Sequence, residues 1–247
     1  MIRGIYAAAS GMVAESIRND VTANNLANVN TAGFKKDVAI SRDFASVLIK
    51  RINDGGDTPD IGSLGSGAQI DEIATIHSGG AVRATGNDFD LAIDGKGFFA
   101  VQTANGVRYT RNGSFTKSAQ GELVNSEGQK VLGQNGPIRI NGSKMNISDD
   151  GSISVDGVEI DRLRVVGFAD EKLLQKEGNS LYTAPAGTQA LAATGQVKQR
   201  YLEMSNVNVI SEMVNMINGF RAYETNGKVV QSHDQLLDKA VNEVGRV

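Results

Sequence analysis

Few side chains in this 247-residue sequence could take part in catalysis. The chain has two histidines, His77 and His233, and no cysteine, so cysteine nucleophiles, disulfides, thiolate zinc sites and iron–sulfur clusters are excluded. A catalytic or metal site needs several cooperating groups, and neither histidine belongs to such a set. We therefore interpret both as boundary or solvated residues, and the sequence predicts no catalytic residue, no metal site and no cofactor.

Three short motifs match known site signatures only in part. Residues 95–100, with the sequence GKGFFA, fit the loose dinucleotide fingerprint, but they lead into a second predicted strand where that fingerprint needs a helix. Residues 149–151, with the sequence DDG, lack the alternating ligands and the terminal glutamate of an EF-hand loop. We interpret both as turns. The basic pair of Lys35 and Lys36 is typical of a solvated edge.

The composition excludes further classes of function. The 25 basic and 28 acidic residues give a formal net charge of −3, whereas binding to nucleic acid requires a basic surface. No stretch approaches the ~20 apolar residues of a membrane span, and the first residues lack the pattern of a cleaved signal peptide. We therefore expect no nucleic-acid partner, no small-molecule substrate, no membrane span and no cleaved signal.

Helical periodicity marks both ends of the chain. Between Ile2 and Val21 the apolar residues recur at helical spacing without a proline, and Gly33 offers a stop. At the other end, alternate steps of four and three residues from Val209 reach eleven positions, nine of them apolar. This pattern indicates the 3.5-residue seam of a coiled coil. The predicted contacts along it are Val209, Met213, Met216, Phe220, Tyr223, Val230 and Leu237.

The C-terminal helix is too long to be covered by its own chain. Over residues 209–244 it would extend ~54 Å at 1.5 Å per residue. The N-terminal helix is its natural partner but is shorter, so part of the apolar seam remains uncovered. Identical subunits that join through unlike surfaces build rings or open helical filaments. We therefore predict that the paired terminal helices pack laterally into an oligomer.

A different period separates the two helical ends. Seven Asn-Gly or Asp-Gly pairs lie between residues 94 and 157, and short β-branched or aromatic runs stand between them. Such pairs favour the type I′ turns of β-hairpins. The sequence therefore predicts an α+β fold, in which long terminal helices form a paired, coiled-coil-like core around a central, mainly antiparallel β domain.

The same patterns divide the chain into three predicted regions. Residues 1–33 and 205–247 form the terminal helical domain, and residues 68–204 form the central β domain. The segment 34–67 between them is predicted to hold a short helix over residues 37–52 and a flexible, glycine-rich linker over residues 53–67.

Asparagine is concentrated where the N-terminal helix ends, at positions 24, 25, 28 and 30. Amide side chains compete with helical hydrogen bonds and favour caps and bends. Two interpretations stay open: an ordinary helix end whose amides bind solvent, or a capped bend whose amides contact neighbouring backbones in an assembly. On the second interpretation, the N-terminal assembly contact consists of Asn25, Leu26 and Asn28.

Five stretches, spread over most of the chain, form a set of motifs. They are residues 24–35 (NNLANVNTAGFK), 90–99 (DLAIDGKGFF), 109–115 (YTRNGSF), 203–209 (EMSNVNV) and 221–226 (RAYETN). Together and in this order, they resemble the bacterial flagellar axial proteins, and within them the rod and hook-basal-body branch.

The resemblance implies a noncatalytic, self-assembling subunit of the flagellar rod, which transmits torque from motor to hook. In such proteins the terminal helices form the inner core of a helical tube, and the β domain lies outside. The implied partners are copies of the chain, neighbouring axial proteins and the flagellar type III export apparatus, and the implied location is the basal body within the cell envelope. A middle domain of this size is too small for the additional outer domains of a typical hook protein, which favours a rod subunit. Within the rod, we expect the proximal type rather than the distal type.

Three alternatives stay open at this point. A hook-class or rod-cap subunit would share the terminal motifs. A cell-wall hydrolase would need a paired-carboxylate or metal cleft, and the sequence has no motif for one. A free coiled-coil binding module would need only the C-terminal seam.

Overall fold

The computed structural model describes residues 2–44, 47–50, 60–142, 144–185 and 187–244. By its internal contacts the chain divides into two compact units. The first, which we call the helical unit, takes its residues from 1–26, 37–74 and 209–247. The second, the β unit, takes its residues from 27–36 and 75–208.

The two long helices of the helical unit contact each other and run antiparallel. Near one end Gly4 lies against His233, and near the other Asn19 lies against Gly219. The predicted pairing of the terminal helices is therefore confirmed. The elements are α1 (Ile2–Ala27), β1 (Asp37–Phe44), β2 (Val47–Lys50), β3 (Asp60–Leu64), β4 (Gly67–Thr75) and α2 (Val209–Lys239), which continues as a π-helical turn over Ala240–Val244.

Strands β1 and β4 form a two-stranded ribbon that contacts α1 through hydrogen bonds. The Ser10 hydroxyl accepts a hydrogen bond from the Ala68 amide at 3.2 Å. Gly67 lies so close to the same side chain that a Cβ atom there would stand 2.1 Å from Ser10 Oγ. Because an isolated two-stranded pair is only marginally stable in water, these contacts with α1 stabilise the ribbon. Strands β2 and β3 form a separate two-stranded sheet, which is antiparallel.

The structure overturns the predicted helix over residues 37–52, because the described part of this segment forms strands β1 and β2. Val38 and Ile40 recur at the period of a strand, and pairing with β4 provides the backbone hydrogen bonds that β1 needs. The predicted linker over residues 53–67 is wrong where β3 and the start of β4 are formed. Residues 53–59 lie outside the described residues.

The β unit is built of antiparallel strand pairs, so the predicted α+β class is confirmed. Its strands are β5 (Val82–Ala84), β6 (Leu91–Asp94), β7 (Phe98–Thr103), β8 (Gly106–Thr110), β9 (Thr116–Lys117), β10 (Leu123–Val124), β11 (Lys130–Val131), β12 (Met145–Ile147), β13 (Ser152–Val155), β14 (Val158–Arg162), β15 (Val165–Phe168), β16 (Gln175–Gly178), β17 (Leu181–Thr183), β18 (Ala190–Ala192), β19 (Gln196–Gln199) and β20 (Tyr201–Glu203).

These strands form four sheets. A nine-stranded sheet has the order β16-β17-β8-β7-β11-β10-β9, with β15 pairing with β7 and β18. Smaller sheets have the orders β12-β13-β14, β19-β6 and β20-β5.

The turn between β13 and β14 shows what the Asp-Gly pairs contribute. Asp156 has a φ of 51° and Gly157 a φ of 87°, the two left-handed residues that a type I′ hairpin requires. Short strands joined by such turns bring apolar side chains into one core. Leu91, Phe99 and Ile153 are buried in its main cluster.

Candidate assembly site

The face of α2 that contacts α1 carries small and polar residues. Gly219, Asn226 and His233, spaced seven residues apart, lie against residues of α1. We call this side of α2 the inner face. Four residues of the predicted seam are half-buried in the helical unit: Val209, Met216, Val230 and Leu237.

Away from α1, the first half of α2 exposes large apolar side chains. Ile210 is 75% exposed and Phe220 is 56% exposed. Tyr223, also from the predicted seam, is exposed beside them. Large contiguous apolar surface is uncommon on soluble monomers and is typical of interaction sites. We call this surface the outer patch and define it as Ile210, Met213, Val214, Ile217 and Phe220.

The predicted seam is therefore divided between two sides of α2. Met213 and Phe220 follow Glu212 and Gly219 by one residue, and one residue turns a helix by about 100°. Glu212 and Gly219 are buried, whereas Met213 and Phe220 are exposed. The predicted 3.5-residue pattern therefore includes both positions that face α1 and positions that face away from it.

The N-terminal residues predicted as assembly contacts make contacts within the chain. Asn25 is only 2% exposed, and its amide donates to the Asp37 carbonyl at 2.8 Å and accepts from the Asp37 amide at 2.9 Å. The Asn28 side chain accepts a hydrogen bond from the Thr31 hydroxyl at 3.2 Å, and Leu26 is half-buried. The burial of Asn25 is explained by its bonds to the first residue of β1, without a neighbouring subunit.

The β unit contains a buried ionic cluster of Lys35, Arg111 and Glu203. Lys35 Nζ lies 2.5 Å from Glu203 Oε1, and Arg111 Nη1 lies 3.4 Å from Glu203 Oε2. Their side chains are 0%, 4% and 2% exposed, respectively. The expectation that Lys35 lies at a solvated edge is therefore wrong. Its partner stands 168 residues later in the chain, where no local pattern could indicate it.

Backbone groups complete the surroundings of Lys35 and Glu203. The Lys35 ammonium also donates to the Ser78 carbonyl at 2.8 Å, and the Gly80 amide donates to Glu203 Oε1 at 2.9 Å. Burial lowers the pKa of Lys35, because the loss of hydration of its ammonium outweighs the attraction of Glu203. A buried charge of this kind is tolerated only when it is paired and hydrogen-bonded.

Arg111 joins the cluster to the strand region around β6 and β7. Its guanidinium donates to the Ile93 carbonyl at 3.2 Å and to the Gly95 carbonyl at 2.7 Å. It also lies over the Phe98 ring, 5.3 Å from the ring centroid, which is the geometry of a cation–π contact. The positive charge is thereby held by a carboxylate, two carbonyls and an aromatic face.

Gly33 brings the segment that follows α1 against this cluster. Its φ of 66° is left-handed, and its amide donates to the Glu203 carbonyl at 2.7 Å. A Cβ atom at position 33 would stand 2.3 Å from the carbonyl carbon of Arg111. Nearby, the Lys36 amide donates to the Asn206 side chain at 2.8 Å. The chain segments that follow α1 and precede α2 are therefore held side by side.

Two kinds of feature are absent from the described ranges, clusters of candidate metal ligands and candidate membrane-spanning helices. Within them, no group of three or more His, Asp or Glu side chains is arranged to hold a metal ion. Likewise, in the part of the chain that the structure covers, no helix combines the length and apolar character needed to cross a membrane.

Three family descriptions match separate regions of the chain. Residues 5–35 match the flagella basal body rod protein family. Residues 92–155 match the D1 domain of the flagellar hook protein FlgE/F/G. Residues 198–243 match the C-terminal region of the flagellar basal body rod FlgEFG proteins.

Curated relatives match over nearly the whole length. The flagellar basal-body rod protein FlgG of Bacillus subtilis is 36% identical over 98% of this chain and 99% of its own length. The chain belongs to the flagellar basal-body rod protein family. FlgG of Buchnera aphidicola subsp. Schizaphis graminum is 37% identical over 97% of this chain and 98% of its own. The flagellar hook-basal body complex protein FlhO of B. subtilis is 30% identical over the full length of both chains.

Membership in the flagellar rod family confirms the functional class expected from the motifs. The family is structural and non-enzymatic, and this chain is a structural rod subunit. The alternatives of a cell-wall hydrolase and of a free coiled-coil module are thereby set aside.

The ionic cluster draws one charged residue from each region that matches the rod family. Lys35 closes the match over residues 5–35, Arg111 lies within 92–155, and Glu203 lies within 198–243. The sequence contained each motif but did not show that the three residues meet. A weak indication was the presence of opposite charges in motifs otherwise rich in glycine, asparagine and apolar residues.

Proposed function

We propose that this structural subunit belongs to the distal rod. Proteins of the FlgG type are distal-rod proteins, and the relatives that match at 36% and 37% identity over nearly the whole chain carry that name. The proximal-rod type expected from the sequence finds no support in these relatives. Distal placement therefore replaces it.

We also propose that the subunit binds its neighbours through the outer patch of α2. The supporting observation is that Ile210, Val214 and Phe220 are exposed on a helix that already has an intramolecular partner. Burying one such side chain fully is worth about 1.5–3 kcal/mol. Several of them together offset the loss of freedom on association, which is of order 4–15 kcal/mol.

The partners in this proposal are further copies of the chain and the adjoining rod proteins. Contacts between unlike surfaces of identical subunits continue indefinitely along a helix, as a rod requires. On α1, Tyr6 and Val13 are also exposed and lie seven residues apart. These residues would complement the outer patch of a neighbour, and the predicted N-terminal contact would then involve α1 without Asn25.

Export through the flagellar type III apparatus to the cell envelope, without cleavage of a signal, is part of the same proposal. Its support is membership in the rod family. In a strain whose export apparatus is inactive, the chain should remain in the cytoplasm. Mass spectrometry of subunits from purified basal bodies should find the original N-terminal sequence, and a shortened N-terminus would contradict the proposal.

The substitution Phe220→Asp tests the assembly surface. Placing a carboxylate in the outer patch should prevent incorporation into basal bodies of a strain that lacks its own copy, while the β unit stays folded. Asn218→Asp adds the same charge at an exposed position two residues away and should incorporate normally. Normal incorporation of Phe220→Asp, measured by immunoblot of purified basal bodies, would show that the outer patch is not an assembly contact.

A hook-class subunit is the second candidate, because the description that matches residues 92–155 includes the hook protein. Electron microscopy of basal bodies from a deletion strain separates the two. Loss of a distal-rod subunit should leave a short rod without a hook. A full-length rod lacking only the hook would favour the second candidate.

A further inference from the structure

Close contacts between a glycine and a polar side chain recur three times along the α1–α2 pair. A Cβ atom at Gly4 would stand 2.6 Å from His233 Nε2, and one at Gly11 would stand 2.8 Å from Asn226 Nδ2. At the other end the roles are exchanged, because a Cβ atom at Gly219 would stand 2.2 Å from Asn19 Oδ1. In each case the polar side chain occupies the space that the missing Cβ leaves.

The contacts recur at intervals of about two helical turns. On α2 the three positions are 219, 226 and 233, seven residues apart, and on α1 they are 4, 11 and 19, at intervals of seven and eight residues. The contacts therefore repeat every two turns along one side of each helix. They occupy the inner face of α2, where a coiled coil ordinarily carries its largest apolar residues.

Stability alone does not account for these residues. Glycine within a helix is less favourable than alanine by about 1 kcal/mol. Asn19 is 9% exposed, and within the described ranges Asn19 Oδ1 and His233 Nδ1 are buried without a hydrogen-bond partner. A buried polar atom without a partner is destabilising. Polar residues at core positions of helix pairs are instead known to fix register and orientation at a cost in stability.

We propose that the three glycine–polar contacts fix the rotation and the axial register of α2 on α1, and so keep the outer patch exposed. Turning α2 by one residue position would bring Met213 and Phe220 toward α1 in place of Glu212 and Gly219. That arrangement would bury apolar surface inside the subunit and remove it from neighbours. Asn19, Asn226 and His233 are thus positioning residues for assembly. This inference rests on the proposed function, since it requires the outer patch to be an assembly contact.

Two experiments in the full-length chain test the proposal. The first replaces two of the polar residues with apolar ones, Asn226→Leu with His233→Leu. The variant should unfold at a higher denaturant concentration than the natural chain, yet incorporate into basal bodies about tenfold less. A purely structural role would move stability and incorporation in the same direction, and that result, or unchanged incorporation, would overturn the proposal.

The second experiment is a double-mutant cycle that does not depend on the first variant folding. Gly219→Ala should reduce incorporation, because its Cβ atom would stand 2.2 Å from Asn19 Oδ1 and displace that buried side chain. Asn19→Ala in the same chain should restore incorporation to within about twofold. Gly227→Ala is the matched control, because a Cβ atom there meets only Met12 Cε at 3.9 Å. It should incorporate normally. A double variant as defective as Gly219→Ala, or a Gly219→Ala variant that incorporates normally, would disprove the steric interlock.

The outcome of Phe220→Asp distinguishes the assembly role of the outer patch from the positioning role of the glycine–polar contacts. If Phe220→Asp assembles normally, the proposed function of the outer patch fails. If Phe220→Asp is excluded from basal bodies but the cycle shows no coupling between positions 19 and 219, only the present inference fails.

Discussion

The ammonium of Lys35 lies 2.5 Å from a carboxylate oxygen of Glu203, although 168 residues separate them in the sequence. Both side chains are almost fully buried. The pair fixes the segment that follows α1 beside the segment that precedes α2. Arg111 approaches the other oxygen of the same carboxylate, so one anion neutralises two cations only in part. The integrity of this part of the β unit therefore depends on Glu203.

Replacing Glu203 with glutamine should destabilise the β unit strongly. The amide keeps the shape of the side chain but leaves two buried cations without an anion, and breaking a buried ion pair in this way costs about 3–5 kcal/mol. Chemical denaturation, monitored by circular dichroism, measures the decrease in the free energy of unfolding. The pair of Arg108 and Glu177, in which the Glu177 side chain is exposed to solvent, provides the control: Glu177→Gln should change stability much less. Equal effects of the two substitutions would refute the prediction.

The stability of the chain should depend on the titration of Lys35 at alkaline pH. Its pKa in the folded chain is lowered below the ordinary 10.5 by burial, so between these two values the unfolded chain binds more protons than the folded one. The free energy of unfolding then rises with pH across that window. The variant Lys35→Met lacks this contribution. Denaturation measured at several values from pH 7 to 10.5 should show the natural chain gaining stability relative to the variant. If the free energy of unfolding changed with pH in the same way in both chains, Lys35 would not be the source of the pH dependence.

Gly33 should tolerate no side chain. Gly33→Ala would place a Cβ atom 2.3 Å from the backbone of Arg111 at a left-handed φ of 66°, so both a collision and backbone strain oppose it. Gly157 has a left-handed φ of 87° with no atom within 4 Å of its would-be Cβ. Gly157→Ala therefore suffers the strain alone, about 1–2 kcal/mol. Thermal unfolding should show a clearly larger loss for Gly33→Ala; similar losses would argue against the close approach.

Two adjacent leucines on α2 should have separable effects. Leu237 is half-buried in the helical unit, whereas Leu236 is exposed. Leu237→Ser should lower the helix content of the free chain, because it weakens the packing within the helical unit. Leu236→Ser should leave helix content unchanged and reduce incorporation into basal bodies. Circular dichroism and immunoblots of purified basal bodies measure the two effects, and identical behaviour of the variants would contradict the assignment of faces.

The amino-acid sequence by itself determined the family, the fold class and the existence of the two terminal helices. These conclusions depend on local sequence patterns, namely the helical period of apolar residues, the Asp-Gly turns, and motifs such as residues 24–35. Each is a property of a few consecutive residues and is preserved whatever the chain contacts. The predicted helix is wrong where strand β1 forms, because pairing of β1 with β4 outweighs the weak helical pattern over residues 37–52.

Tertiary structure decided which side of α2 faces its own chain and where the charged motif residues go. A 3.5-residue period shows that a helix has apolar positions, but it does not distinguish a contact with α1 from a contact with another subunit. Here Gly219 faces inward and Phe220 faces outward. In the same way, Lys35 is buried only because distant segments bring Glu203 and Arg111 to it. The physical reason is shared: burial depends on contacts between residues far apart in the sequence, and local periodicity carries no information about those contacts.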